Sequence, residues 1–158
     1  MKAAAGFLLV IGLLGWVSAG EEKKVDRLQF RIGERQPGPG LTEMTVSGSK
    51  EKVYLREKVE LSQADVAQAS AEKTKERVEI MLVFTDAGKE KLAKLTGENK
   101  GKLLCIVVEG KLVAAPIIKS SIPAGKAALT GNFSLEEAKR IVSAILGKKD
   151  PGQPRPSH

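Results

Sequence analysis

Histidine, cysteine, tryptophan and tyrosine each occur once in this 158-residue chain. The lone histidine, His158, is the last residue of the sequence. It leaves no imidazole for Ser-His or Cys-His catalysis or for the histidine-bearing zinc motifs, which need that ring inside a fixed constellation. The lone cysteine, Cys105, rules out an intramolecular disulfide, so the fold must rest on its apolar core. Cys105 sits inside the run Leu103-Leu104-Cys105-Ile106-Val107-Val108 and reads as a small buried hydrophobe; a reactive or dimer-forming thiol is the other reading. Aromatic residues make up 4% of the chain, too few for a platform on which single-stranded nucleic acid could stack. Gly97 to Lys102 has one residue too few between its glycines for a phosphate loop, and the acidic residues show no calcium-loop spacing. Asn132-Phe133-Ser134 matches a glycosylation sequon by coincidence of three residues. No paired carboxylates stand apart from the surface pattern. The chain reads as a non-enzyme without cofactor or metal, and nucleic acid is not among its expected partners.

What is present begins with a leader-like N-terminus. Lys2 is followed by an uncharged stretch, Ala3 to Ala19, whose most apolar part is Phe7 to Leu14 and which ends in the small residues Val17-Ser18-Ala19. A basic start, an apolar middle and an A-x-A-like end describe a secretory signal peptide, with cleavage expected after Ala19. The run is short for a membrane span, which takes roughly 20 apolar residues. An uncleaved anchor with Trp16 at the interface is the alternative. No cysteine stands near the site, so lipid modification is not indicated. The expected product is an exported protein of the periplasm or cell envelope, and no later stretch approaches spanning length.

The formal charge is +7, from 26 Lys and Arg against 19 Asp and Glu. Basic chains attract polyanions, but Lys50-Glu51-Lys52 and Lys89-Glu90-Lys91 interleave the signs, which is the pattern of a solvated face.

Along the chain, Glu21 to Asp26 is a charged lead-in. Leu28 to Ile32 alternates as a half-buried strand, and Arg35 to Gly40 breaks regular structure. Met44 to Val46 and Val53 to Leu55 read as short strands around Ser47-Gly48-Ser49. Ser62 can cap a helix running to about Thr74, with Val66, Ala69 and Ala71 as a small apolar side. Val78, Ile80, Leu82 and Phe84 share one face of a strand, and Thr85 caps the helix that carries Leu92 and Leu95. Glu90 and Lys94 are spaced as a surface pair on that helix. Lys102 to Val108 fits a central strand covered on both faces. Glu109-Gly110 turns it into Lys111 to Ile118 as a hairpin, and Lys126 to Thr130 is a further strand. Ser134-Leu135-Glu136-Glu137 is a capping box that opens a helix with the stripe Leu135, Ala138, Ile141, Val142 and Ile145, ended by Gly147. Residues 147–158, rich in proline and charge, form an expected disordered tail. The expected fold class is α+β: a two-layer sandwich with a mostly antiparallel sheet and three helices on one face, spanning residues 28–146.

From Val78 to Ile145 the sequence resembles the head of the first periplasmic domain of SecD. The residues that carry the resemblance are Phe84-Thr85-Asp86-Ala87-Gly88, then Leu92, Thr96 and Gly101; Ile106 to Gly110; Ala115-Pro116-Ile117-Ile118; and Ile122, Gly125, Thr130-Gly131-Asn132-Phe133 and Glu137-Ala138, in that order. Cys105 and Ala114 stand where that family usually has Ala and Ser. The glycine-rich segment that opens its periplasmic region has no counterpart here, and proton-coupled translocation is not carried over. The resemblance implies a role in meeting polypeptide on the far side of the membrane. The expected partner is therefore extended polypeptide or an envelope protein. The expected contact is an edge strand that adds a peptide strand through its backbone, with Lys111, Val113, Pro116 and Ile118 as site residues. These residues have a structural reading too, as closure of the core. Two other functions fit the composition: binding of an anionic membrane surface or wall polymer through lysines, with steep salt dependence, and a subunit of an envelope complex without a ligand of its own.

Overall fold

The computed structural model describes residues 26–148. The expected leader, most of the lead-in, and the tail beyond Lys148 lie outside the described residues. Within them run β1 (Leu28–Glu34), β2 (Leu41–Thr45), β3 (Lys52–Arg56) and β4 (Leu61–Ser62), then a 3-10 turn (Gln63–Asp65) and β5 (Val66–Lys73). There follow β6 (Val78–Phe84), α1 (Asp86–Glu98), β7 (Leu103–Val108), β8 (Lys111–Ala114), β9 (Lys126–Thr130) and α2 (Leu135–Ile145).

The strands form two antiparallel sheets. One has the order β2-β3-β1-β7-β8, with β4 also paired to β1, and the other has the order β5-β6-β9. β7 pairs with β1 over six positions, from Leu103 opposite Gly33 to Val108 opposite Leu28. Every residue of β7 is buried. Its alternate side chains serve two cores, because successive residues of a strand point to opposite faces. Leu104, Ile106 and Val108 join Phe30, Ile80, Leu82, Leu92, Ala138 and Ile145 in the larger core. Leu103, Cys105 and Val107 join Val53, Leu55 and Leu112 in a smaller one. The smaller core is closed because the sheet curls: the Ser47 N–H donates to the Leu112 carbonyl at 2.8 Å, joining the turn after β2 to β8. Both helices contribute to the larger core, against the face of the second sheet that carries Ile80, Leu82 and Phe84. There the Phe30 and Phe84 rings meet at 5.6 Å, tilted by 56°.

The α+β class and the antiparallel pairing agree with expectation, but the described residues hold two α-helices and not three. Ser62 does cap, with a reciprocal box to Asp65, yet the helix it starts is a single 3-10 turn. From Val66 the chain is a strand paired to β6, with a register shift between Val66 and Gln68. That bulge adds one residue and sets Val66 and Ala69 three apart, which imitates helical spacing. Ala69 and Ala71 then keep the strand period. Pairing with β6 overrides the helix preference of the alanines, as tertiary context overrides local propensity.

The hairpin from β7 to β8 forms as expected. Its turn residues Glu109 and Gly110 have φ of 48° and 79°, the both-positive combination that suits a two-residue hairpin turn and explains the glycine. β8 ends earlier than Ile118, at Ala114. Pro116 cannot donate to a ladder, so it falls at the break of this strand. Pairing resumes beyond it through the Leu104 N–H to the Pro116 carbonyl at 2.9 Å and the Ile118 N–H to the Lys102 carbonyl at 2.8 Å.

The start of α1 is locked to the 3-10 turn. The Thr85 N–H donates to the Asp65 carbonyl at 2.9 Å, and the Gly88 N–H donates to Thr85 Oγ1 at 3.0 Å. The Asp65 carboxylate accepts from the Ser62 N–H at 2.9 Å and from Lys91 Nζ at 2.8 Å. A Cβ on Gly88 would run into the Asp65 carbonyl oxygen, so no other residue fits without moving backbone. At the far end of the helix, the buried Thr96 hydroxyl donates to the Leu92 carbonyl at 2.7 Å and accepts from the Ile122 N–H at 2.9 Å.

Two outcomes follow. Gly88→Ala should destabilise the protein by about 1–3 kcal/mol through overpacking, although alanine favours helix. Gly97→Ala, in the same helix with only Ser121 atoms at 3.8 Å, should be neutral or stabilising by up to about 1 kcal/mol; paired urea melts read the contrast. For Cys105, burial, with a smaller contribution from the Glu51 charge, pushes the thiol up to about 12, against about 8.5 in an unfolded chain. The neutral form is thus favoured in the fold. Its stabilisation is complete below about pH 8.5 and is lost as pH rises toward 12, at up to about 1.4 kcal/mol per pH unit. Reaction with a disulfide reagent at pH 8 should be at least about 1000-fold slower in the native protein than in urea.

Candidate functional site

Lys111 and Val113 come together on one groove, whereas Pro116 and Ile118 stand at the other end of the β8 segment. The groove has a volume of about 420 Å³ and runs between β8 and α2. Local rules build each wall. The positive-φ turn at Glu109-Gly110 folds β8 back along β7 and sets Lys111 at the rim. The Ser134 hydroxyl accepts from the Glu137 N–H at 3.2 Å while the Glu137 carboxylate accepts from the Ser134 N–H at 2.7 Å. This reciprocal pair starts α2 at a defined residue and presents Arg140 and Ile141 to the groove one turn later. The Ser47-Gly48 turn closes one side.

Chemically the groove is apolar at the base and charged at the rim. Val113, Phe133, Ile141 and Ala144 supply the apolar surface, and Lys111, Arg140, Glu109 and Glu137 line it with charges of both signs. The hydrogen bonds from Ser134 hold the Glu137 carboxyl below the usual carboxylate range. Mixed signs above an apolar floor suit a chain of mixed sequence better than a ligand of one charge.

The four expected site residues divide by burial. Lys111 and Pro116 are exposed. Val113 and Ile118 are 8% and 4% exposed and belong to the larger core. The first part of the β8 edge already has a partner, since the Leu112 carbonyl accepts from Ser47. Phe133, Arg140 and Ile141 were not singled out as site residues from sequence. By its spacing Ile141 belongs to the helix stripe, yet it is only partly buried and shared between core and groove. The Ser62-x-x-Asp65 spacing is itself a capping-box signal, and it is the signal in the sequence that marks Asp65.

Among the described residues, no group of three His, Cys, Asp or Glu side chains could hold a metal ion, and no helix is long and apolar enough to cross a membrane. The free thiol of Cys105 is buried and favoured in its protonated form, which is the environment of a structural cysteine rather than a nucleophile.

Comparison with known proteins places this geometry. Residues 41–147 match the family model of the SecDF P1 head subdomain. The SecD translocase subunit of Rickettsia prowazekii is 36% identical over 90 residues, which are 56% of this chain and 17% of that protein. The SecDF translocase subunit of Thermus thermophilus is 39% identical over 86 residues, 54% of this chain and 12% of that protein. The chain thus spans less than a fifth of the length of either relative. In structure, SecDF in a super-membrane-facing form superposes with a TM-score of 0.64 at 28% identity, covering 80% of this chain and 20% of that one. A second structure, of SecDF as a membrane component that enhances protein export, gives a TM-score of 0.62 at 25% identity, over 84% of this chain and 70% of that one. Thr85, Gly88 and Thr96, among the residues that carry the resemblance seen in the sequence, pin α1 at both ends. The chain belongs to the SecDF P1 head subdomain family, a family of non-catalytic modules.

Proposed function

We propose that this protein is an exported envelope module that binds extended or unfolded polypeptide in the groove between β8 and α2. The observation that carries the reading is the groove itself, with an apolar floor, a rim of both signs, and an edge strand along one wall. Membership in a family whose relatives are protein translocase subunits supports it, as does the leader-like N-terminus read from the sequence. Side chains of an extended chain would lie over Val113, Phe133 and Ile141, with its backbone beside β8. Because the Leu112 carbonyl is engaged by Ser47, side-chain contact carries more of this binding than an unbroken strand ladder would. Specificity is then set by the floor, which asks for apolar side chains at intervals and not for one sequence.

Within this reading Lys111 guides the bound chain at the rim, Val113 forms floor and core together, and Pro116 and Ile118 shape the strand without touching the ligand in the groove.

The test is fluorescence anisotropy with a labelled, reduced and carboxymethylated polypeptide that cannot refold. Ile141→Gln removes part of the floor at a half-buried position and should weaken binding about 5- to 10-fold with the fold intact by circular dichroism. Val113→Asp is a different probe. It buries an unpartnered charge and should cost about 3–5 kcal/mol of stability, so its loss of binding reports unfolding. Wild-type affinity should change little between low and high salt. Equal binding by wild type and a folded Ile141→Gln variant, or no binding by wild type, overturns the proposal.

A further inference from the structure

The end of the first sheet where β7 begins carries surface that the groove does not use. The Gly101 N–H donates to the Ile118 carbonyl and the Ile118 N–H to the Lys102 carbonyl, both at 2.8 Å. These bonds stitch the turn after α1 to the segment after β8 and so bring Lys100, Lys102 and Lys119 to one tip. Arg35 leaves β1 at the same end, where Gly33 lies opposite Leu103. Lys100, Lys119 and Arg35 are exposed and Lys102 is partly so. Among the described residues none of these four cations is in an ion pair. Glu98 is the carboxylate nearest the lysines in sequence, and it too is outside those pairs.

Ile117 stands at this tip. It bridges to Leu103 across the sheet and, at 42% exposure, is the one exposed large hydrophobic side chain among the described residues. Exposed Pro116 adjoins it. In water the fold gains nothing from leaving isoleucine out. A bilayer surface uses both features at once, with cations at the level of the phosphates and apolar side chains just below them. A soluble polyanion would use the charge and leave Ile117 idle. We infer that this tip docks on the surface of an anionic phospholipid bilayer, with Ile117 and Pro116 seated between headgroups and Arg35, Lys100, Lys102 and Lys119 on the phosphates. The surface is separate from the groove, so the inference stands independently of polypeptide binding.

The test uses the full chain, so an apolar N-terminus that anchors it to vesicles must not decide the result. A polarity-sensitive fluorophore is therefore placed at the tip through Ser120→Cys, Cys105 being buried. A control probe is placed through Ala87→Cys at the opposite end of α1, about 20 Å away for a helix of this length. With vesicles containing phosphatidylglycerol, the tip probe should shift to the blue while the control probe does not, and vesicles of phosphatidylcholine should give no tip response. Adding K100E, K102E and K119E together should lower the apparent affinity of the tip response at least about 100-fold, at about fivefold per charge. Ile117→Ser should lower it about threefold. Equal responses from both probes, or an equal tip response to phosphatidylcholine, overturn the inference. So does an Ile117→Ser variant that responds like wild type while soluble polyglutamate competes fully, because the tip is then a general polyanion site.

Discussion

The pairing of β7 with β1 is the constraint on which the rest of the molecule depends. Six consecutive residues, Leu103 to Val108, are buried on both faces of one strand, which is unusual for an antiparallel sheet with helices on one side only. It is possible here because the sheet curls until the turn after β2 reaches β8 and encloses a second small core. Each such aliphatic side chain contributes roughly 1.5–3 kcal/mol on burial. A polar residue anywhere in β7 would therefore be paid for in one core or the other. Cys105 is tolerated because it acts as a small hydrophobe.

From that strand the functional surfaces follow by geometry. At one end of β7, a two-residue turn sends β8 back along its edge, and α2 packs across to leave the groove. At the other end, the turn from α1 and the residues after Pro116 are stitched into the basic tip. Both surfaces therefore sit at the ends of one rigid strand, and neither needs a movable element to form. The capping boxes at Ser62 and Ser134 have corresponding roles. The first presents the Asp65 carbonyl to the start of α1, and the second fixes where α2 begins and hence which residues face the groove.

Much of this was legible in the sequence, for physical reasons. The uninterrupted apolar run of β7, the alternation of β6 and the capping box of α2 are strong local signals, and all three elements stand where those signals put them. β5 was not legible as a strand, because the bulge at Val66 to Gln68 breaks the period of two and the alanines of this segment favour helix. The role of Asp65 is not legible locally, because it lies in a backbone carbonyl that accepts from Thr85 twenty residues later and leaves no room for a side chain at Gly88. The groove could be read only in part. Lys111 and Val113 were found as part of an edge strand, but Phe133, Arg140 and Ile141 reach the same place only through the packing of α2 on the sheets. Ile117 lies within the family-like Ala115-Pro116-Ile117-Ile118, and nothing in its local sequence distinguishes an exposed isoleucine from its buried neighbour Ile118.

The central claim is that extended polypeptide is held between β8 and α2. The most direct measurement is amide chemical-shift mapping of the 16.9 kDa chain during titration with a permanently unfolded polypeptide. The account predicts perturbations concentrated at residues 47–48, 111–113 and 132–141, with β5 and the basic tip unmoved. Perturbations confined to the edge of β5 or to the tip, or none at saturating polypeptide, would contradict it.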